Sequence, residues 1–210
     1  MYNPEHFRES RSEVLLAFIA KHPLATLVAN TAQGLTANHI PLLWHSLADG
    51  SNVLRGHIAR ANTIWRTVDR GASVLAIFTG ADHYISPRWY PSKRDDSKVV
   101  PTWNYAAVHV RGYIRFIEDA AWLRAMVESL TDAHEGRDAD RWHVSDAPAS
   151  YIDAMLRAIV GFEINVTGLE GKFKGSQNRS VEDRANVARS LQAAGSEASA
   201  VDELVPGVDP

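Results

Sequence analysis

At 210 residues, with 45% hydrophobic and 22% charged side chains, the chain has a globular profile and the length for one substantial core. It holds no cysteine, which excludes a disulfide framework, a thiolate zinc site and a cysteine nucleophile. A net charge of −3 argues against broad electrostatic adhesion to nucleic acid and leaves room only for a local basic patch.

Met1 to Arg8 has no apolar leader and no run approaches membrane-spanning length, so a cytosolic protein with no membrane partner is expected. Ser10-Arg-Ser-Glu13 has the spacing of a capping box, followed by Val14, Leu15, Phe18 and Ile19 as a helical apolar stripe that should end before Pro23. Leu24 to Ala29 reads as a buried strand, Asn30 to Gly34 as a turn, and Leu35 to Trp44 as a second extended run. Pro41 cannot donate to a ladder, so this run should meet an edge, a bulge or a ligand there. Asp49-Gly50 marks a hairpin into a strand over 51–58, and Asn62 can cap a short helix carrying Ile64, Trp65 and Val68.

Ser73 to Phe78 is apolar on both parities and should be a strand buried on both faces, ending at Thr79-Gly80. Residues 81–100 form a long loop with an aromatic base and a charged tip, Lys93 to Lys98. Pro101 to Ile117 is one long strand with unlike faces. Asn104, Ala106, Val108, Val110, Ile114 and Phe116 share the apolar side, and Trp103, Tyr105, His109, Arg111, Tyr113 and Arg115 the other. That second face suits a flat, partly polar ligand or another subunit; an edge strand with aromatics packed beneath a loop meets the pattern equally. Asp119 caps a helix with Trp122, Met126, Val127 and Leu130 inward, and a second helix carries Ile152, Met155, Leu156 and Ile159. Gly161 to Gly168 alternates as a strand, and Ser180 opens a last helix through Leu191. One domain over 1–194 and a flexible acidic tail over 195–210 are expected. Six strands joined at hairpin scale, with helices interrupting and not alternating, predict an antiparallel β-barrel with helical insertions.

Two stretches are candidates for anion chemistry. In Gly56-His-Ile-Ala-Arg-Ala-Asn62, glycine permits close backbone approach, a helix start exposes N–H groups and Arg60 brings charge, with His57 as a further donor. A plain strand-to-helix turn with an exposed arginine has the same pattern. Lys172-Phe-Lys174 with Ser176, Gln177 and Asn178 places two ammonium groups on one strand face beside several donors; a solvated loop accounts for it too. The nine histidines lack metal-ligand spacing, no Gly-x-Ser-x-Gly supports a serine nucleophile, and nothing names a general acid or base.

Six blocks, in order, carry a resemblance: Met1-Tyr-x-Pro-x-His-Phe7, Gly56-His-x-Ala-Arg-Ala-Asn62, Ile77-Phe-Thr-Gly80, Tyr84-Ile-Ser-Pro-x-Trp-Tyr90, Val100-Pro-Thr-Trp-Asn-Tyr105 with Val108-His-Val110, and Lys172-Phe-Lys-x-Ser-Gln-Asn178. From Met1 to about Leu191 the chain resembles the PaiB family of FMN-binding negative transcriptional regulators. The resemblance implies a split β-barrel akin to the pyridoxamine-phosphate-oxidase and flavin-reductase group, a homodimer, and FMN in a cleft between subunits. It implies that Arg60 and Asn62, with His57, hold the FMN phosphate, and that His39, Ile40, Pro41 and Leu42 lie along the isoalloxazine. Thr79, Trp103, Asn104 and Tyr105 would close the ring site, and Lys172, Lys174 and Gln177 would complete the cleft. An FMN-dependent oxidoreductase and a haem-handling split barrel are the alternatives. Direct DNA binding has no helix-turn-helix signature behind it; Arg179, Arg184 and Arg189 and the Lys93–Arg94 pair are the basic clusters that a solvated face also explains.

Overall fold

Alternation of buried and exposed positions marks much of the strand structure, and the computed structural model describes residues 1–69, 71–94, 97–136 and 138–208. Among the described residues there are eight strands: β1 (Arg8–Glu9), β2 (Leu24–Thr31), β3 (Gly34–Pro41), β4 (Leu43–Ser46), β5 (Asn52–Ala59), β6 (Ser73–Ile85), β7 (Thr102–Ile117) and β8 (Ile159–Lys174). Six helices accompany them: α1 (Ser12–Lys21), α2 (Ile64–Thr67), α3 (Ala120–Glu135), α4 (Ala149–Arg157), α5 (Val181–Ala193) and α6 (Ala198–Leu204). The sheet path is β3-β2-β6-β7-β8-β5-β4, with β1 added to β8. Its two end strands, β3 and β4, are separated in the chain by Leu42 alone, and β3 also lies against β5. A sheet whose ends are joined by one residue is rolled into a barrel. The expected antiparallel barrel with helical insertions is the fold.

The chain groups into two compact units where the sequence predicts one domain. Unit 1 comprises Met1–His22, Phe78–His109 and Glu170–Pro210; unit 2 comprises Pro23–Ile77 and Val110–Leu169. In unit 2, Ala25, Leu27, Ile40, Leu42, Leu54, Ala76, Ile114, Phe162 and Ile164 are buried. A satellite core of Leu123, Met126, Val144, Ile152 and Leu156 joins α3 to α4. In unit 1, Ile85, Tyr90, Val187, Leu191, Val201, Leu204 and Val205 form the core.

Several expectations are corrected. The Ser10–Glu13 capping box does not form: α1 starts at Ser12, and the Glu9 carboxylate accepts from the Arg11 backbone N–H at 2.8 Å. The run over 35–44 breaks at Leu42, because Pro41 closes β3 and the Leu42 N–H turns to the Pro23 carbonyl at 2.9 Å. β6 does not stop at Thr79-Gly80 but continues to Ile85. Gly80 permits this, since a Cβ there would meet the Phe18 ring at 2.7 Å and the Glu203 carboxylate, which accepts from the Ala81 N–H. Its second parity, Leu75 and Ile77, is half-buried and not enclosed. Met155 points to solvent and Ile159 opens β8, one strand running through the expected loop to Lys174. The expected flexible tail instead supplies α6, because Val201, Leu204 and Val205 bury against α5. The base of the 81–100 loop is two short 3-10 turns, Pro87–Trp89 and Pro91–Arg94, while Asp95 and Asp96 at its charged tip lie outside the described residues.

Candidate functional site

The expected site residues fall into both units. His39, Ile40, Pro41, Leu42, His57, Arg60 and Asn62 belong to unit 2; Thr79, Trp103, Asn104, Tyr105, Lys172, Lys174 and Gln177 belong to unit 1.

In unit 2, β5 delivers the Gly56–Asn62 turn. Gly56 is required by close packing: a Cβ would meet Leu42 at 2.7 Å and the Pro41 carbonyl at 3.0 Å. His57 stands opposite Gly161 on β8, and its Nδ1 is buried without a hydrogen-bond partner. Burial pushes its pKa down, so the ring is held neutral. Asn62 donates to Asn38 Oδ1 at 2.7 Å and accepts from the Ile64 N–H at 3.1 Å, bracing the turn one residue before the cap position, which Thr63 and not Asn62 occupies. Arg60 donates from Nε to the Arg157 carbonyl (2.8 Å), from Nη2 to the Ile159 carbonyl (3.1 Å) and from Nη1 to Glu118 Oε2 (2.5 Å). Three of its five N–H groups are therefore engaged. Its carbonyl accepts from the Trp65 indole N–H at 3.0 Å, which fixes that ring beside the turn. Ile40 and Leu42 are core side chains, and His39 and Pro41 face outward on the opposite parity of the same strand run.

Next to Arg60 lies a cavity of about 480 Å³ lined by Trp65, Arg66, Arg115, Phe116 and Glu118. The Arg66 guanidinium sits 4.4 Å over the Trp65 ring, and Arg60 5.6 Å from it. Arg115 is anchored by Glu163, which accepts from Arg115 Nη2 at 2.8 Å and from Arg55 Nε at 2.8 Å. Burial opposes ionisation of Glu163, but the hydrogen bonds and charges of Arg115 and Arg55 outweigh it and hold the carboxyl below its ordinary range. The chemistry assembled is two aromatic faces, three guanidinium groups and one exchangeable carboxylate. Of the five lining residues, sequence reasoning placed only Arg115 on a face suited to a ligand and named none of them as a contact. The signal was present in Arg115-Phe-Ile-Glu118, where a strand ends on a cation, an aromatic and an acid.

In unit 1, Lys172 is buried between the Tyr2 and Tyr105 rings, 5.5 and 5.4 Å away, and donates to the Tyr2 carbonyl at 2.9 Å. The N-terminal block is explained by this: Met1 pairs with Glu170 at 2.9 Å and Asn3 bonds the Gly171 carbonyl at 2.8 Å. Gln177 braces its own turn through Gly175 and Phe173. Asn104 is wholly buried, donating to Ser176 Oγ at 3.0 Å and the Leu204 carbonyl at 2.9 Å, so it serves the core. Thr79 and Trp103 are exposed, with Tyr84 edge-on to Trp103 at 6.0 Å. Lys174 donates to Thr102 Oγ1 and to the Trp103 carbonyl (2.5 Å). Among the described residues no group of His, Asp and Glu side chains is placed to hold a metal ion. No helix there is long and apolar enough to cross a membrane.

The family described as "Putative FMN-binding domain" matches residues 1–168. Protease synthase and sporulation protein PAI 2 of Bacillus subtilis is 32% identical over 192 residues, covering 91% of this chain and 89% of its own length. Two solved structures share the fold at a TM-score of 0.59: the flavocytochrome Anf3 of Azotobacter vinelandii, with 14% identity, 80% of this chain and 69% of that one covered, and a FAD and haem binding protein of Mycobacterium smegmatis, with 19% identity, 90% and 80% covered. With the six sequence blocks and the barrel in place, these likenesses fix the lineage: the chain belongs to the PaiB family of FMN-binding-domain proteins.

Proposed function

We propose that the chain is an FMN-binding regulator of the PaiB type, a cytoplasmic homodimer whose flavin sits against the Arg60 turn. The observation that carries the flavin reading is the cavity of Trp65, Arg66, Arg115, Phe116 and Glu118 beside that turn. Its volume of about 480 Å³ is in the range of small-molecule sites. Trp65 and Phe116 offer faces to a flat ring, and Arg66 and Arg60 offer charge to a phosphate. Glu118 is half-exposed, so a phosphate dianion can take its place on the two Arg60 N–H groups that remain and the one it now holds. Bound FMN would supply one- and two-electron redox chemistry; the chain's part is to hold the phosphate, flank the ring and exclude water. The PaiB likeness supports the regulatory role. Arg184 and Arg189 donate to the Pro206 carbonyl and to Asn186, so they support no phosphate-facing stripe.

Adding FMN to the purified protein is expected to shift the flavin absorbance bands and quench its fluorescence. Trp65→Ala and Arg66→Gln each weaken FMN binding about tenfold relative to Arg124→Gln, whose side chain pairs with Asp153 on the surface. Glu118→Gln strengthens FMN binding several-fold and leaves riboflavin unchanged, because the competing carboxylate is gone. Equal FMN affinities across these variants would place the phosphate elsewhere, and a Soret band would replace flavin with haem. Anaerobic NADH bleaching separates an oxidoreductase from a passive binder. Fluorescence anisotropy with DNA across salt tests direct repression, which requires a steep salt slope.

A further inference from the structure

Unit 1 contains a cavity that the flavin reading does not use. It measures about 230 Å³ and is lined in part by Tyr90, Thr102, Lys174, Ser176, Asn178 and Arg179. No carboxylate among the described residues lines it. Among the described residues neither Lys174 nor Arg179, nor Lys172 nearby, has a carboxylate within ion-pair distance. Positive charge here is confined: burial, and then the charges of Lys172 and Arg179, push the Lys174 pKa down. Lys174 has two donors engaged, by Thr102 and the Trp103 carbonyl, which leaves one. The Arg179 guanidinium lies 4.6 Å over the Tyr90 ring.

The decisive atom is the Tyr90 hydroxyl. Tyr90 is 2% exposed and its oxygen is buried with no hydrogen-bond partner. Buried polar groups are rarely left unpaired, and those that are call for an explanation, of which a bound ion is one. The turn that presents Arg179 is also unusual. Ser176 has a left-handed φ of 62° and its carbonyl accepts from the Arg179 N–H at 2.9 Å, a backbone held in place by the buried Ser176–Asn104 bonds. Two cations, a lone phenol donor and, among the described residues, no counter-charge, in a space below the roughly 300 Å³ of ordinary small-molecule pockets, describe a receptor for a small oxyanion. We infer that this cavity binds a phosphate group, held by Lys174 and Arg179 as cations and by the Tyr90 hydroxyl as donor. The group belongs either to free phosphate or a small phosphate monoester, or to the end of FMN itself.

Calorimetric titration of inorganic phosphate into the flavin-free full chain, at constant ionic strength against chloride, tests this. Saturable binding is expected, weakened about tenfold or more in Arg179→Gln and Lys174→Gln and about three- to tenfold in Tyr90→Phe. Tyr90→Phe is isosteric and removes an unpaired hydroxyl. Without phosphate its melting temperature should equal or exceed that of the parent, while the phosphate-induced rise in melting temperature shrinks. Repeating the titration with FMN-saturated protein separates the sources. If phosphate still binds and Arg179→Gln leaves FMN and riboflavin affinities unchanged, the occupant is a separate phosphate; if FMN displaces phosphate and Arg179→Gln weakens FMN but not riboflavin, it is the flavin's own. The inference is overturned if the parent shows no saturable phosphate binding, or if Tyr90→Phe and Arg179→Gln bind phosphate as tightly as the parent. Flavin absorbance is read independently, so either reading can fail without the other.

Discussion

Glu163 shows how a charged residue can be legible as a strand position and illegible as an electrostatic one. In the sequence it is one member of an alternating run; in the fold its side chain is 6% exposed between Arg55 and Arg115. A buried carboxylate survives only with such partners, and removing it strands Arg55, which is itself three-quarters buried. Glu163→Gln should therefore cost about 2 to 3 kcal/mol at pH 7, less than a fully buried pair because Arg115 is 66% exposed. His45, His57 and Glu163 are among the groups with depressed pKa values, as is Glu203, held low against the effect of burial by the Lys21 and Ala81 hydrogen bonds and by His22. His45 and His57 are held neutral, His45 by burial and then by the Arg55 charge, His57 by burial. The unfolded chain then binds more protons than the native one, and stability falls as pH drops below the ordinary histidine value of about 6.5. A second loss begins below about 4.3, as Glu163 protonates in the unfolded chain first and at lower pH in the fold. Urea midpoints measured from pH 7.5 to 3 should show both losses in the parent, and in Glu163→Gln the first with a smaller second, the part that Glu203 retains. A variant as stable as the parent at pH 7 would mean the two arginines are solvated without it. The candidate site was legible to the same partial degree. Arg60 and Asn62 were singled out by the turn chemistry, but their partners, Glu118 and Asn38, come from 58 and 24 residues away and carry no local signal.

At the scale of elements, the strands announced themselves through alternation, and their lengths did not. β7 matched its expected span because sixteen residues keep one parity; β6 and β8 ran past Gly80 and Gly168, where glycine ordinarily marks a turn. What those glycines do depends on what packs over them, which only the fold decides. Gly161 and Gly168 make the contrast testable within one strand. A Cβ at Gly161 would overlap the Trp122 ring and sit 2.9 Å from Leu123, so α3 must move. At Gly168 the nearest neighbour is Arg111 Cβ at 3.9 Å, ordinary contact. Gly161→Ala should destabilise by about 1 to 3 kcal/mol, the usual effect of overpacking. Gly168→Ala should be neutral or stabilising by up to about 1 kcal/mol through the unfolded chain. Chemical denaturation of the two variants distinguishes a packing glycine from a permissive one, and equal losses would show that α3 yields. Helix α6 was missed for a related reason. Its small and acidic residues read as a tail, and only Val201, Leu204 and Val205, against α5, make it structure.

At the scale of the whole molecule, a barrel closes its hydrogen-bonding edges but leaves its outer faces to be covered or wetted. Helices α3 and α4 cover one stretch of unit 2. The β3-β2-β6 stretch is different. Its cross-strand rows, Ala37–Val28–Leu75 and His39–Thr26–Ile77, are flanked by Pro41–Leu24 and Leu35–Asn30 on the same face. Leu35 is 79% and Leu24 60% exposed, with Ala37 and Pro41 exposed beside them. Single exposed leucines need no explanation, but Leu24, Leu35, Ala37 and Pro41 exposed on one sheet face around the His39–Thr26 row, on a chain of low net charge, make a place for another surface. We propose this face as the seam of the homodimer, which turns the assembly into a statement about one side chain. Leu35 contributes almost nothing to the core, so Leu35→Glu should change unfolding stability by no more than about 0.5 kcal/mol. Carboxylates brought into such a seam should raise the dimer dissociation constant tenfold or more, by roughly the measure of a hot-spot loss. Val181→Glu, 77% exposed at the start of α5 in the other unit, serves as the control of equal charge. Sedimentation velocity at tens of micromolar should give a dimer for the parent and the control and a monomer for Leu35→Glu. A parent that sediments as a monomer removes the dimer from the proposal, and a Leu35→Glu dimer moves its seam off this face.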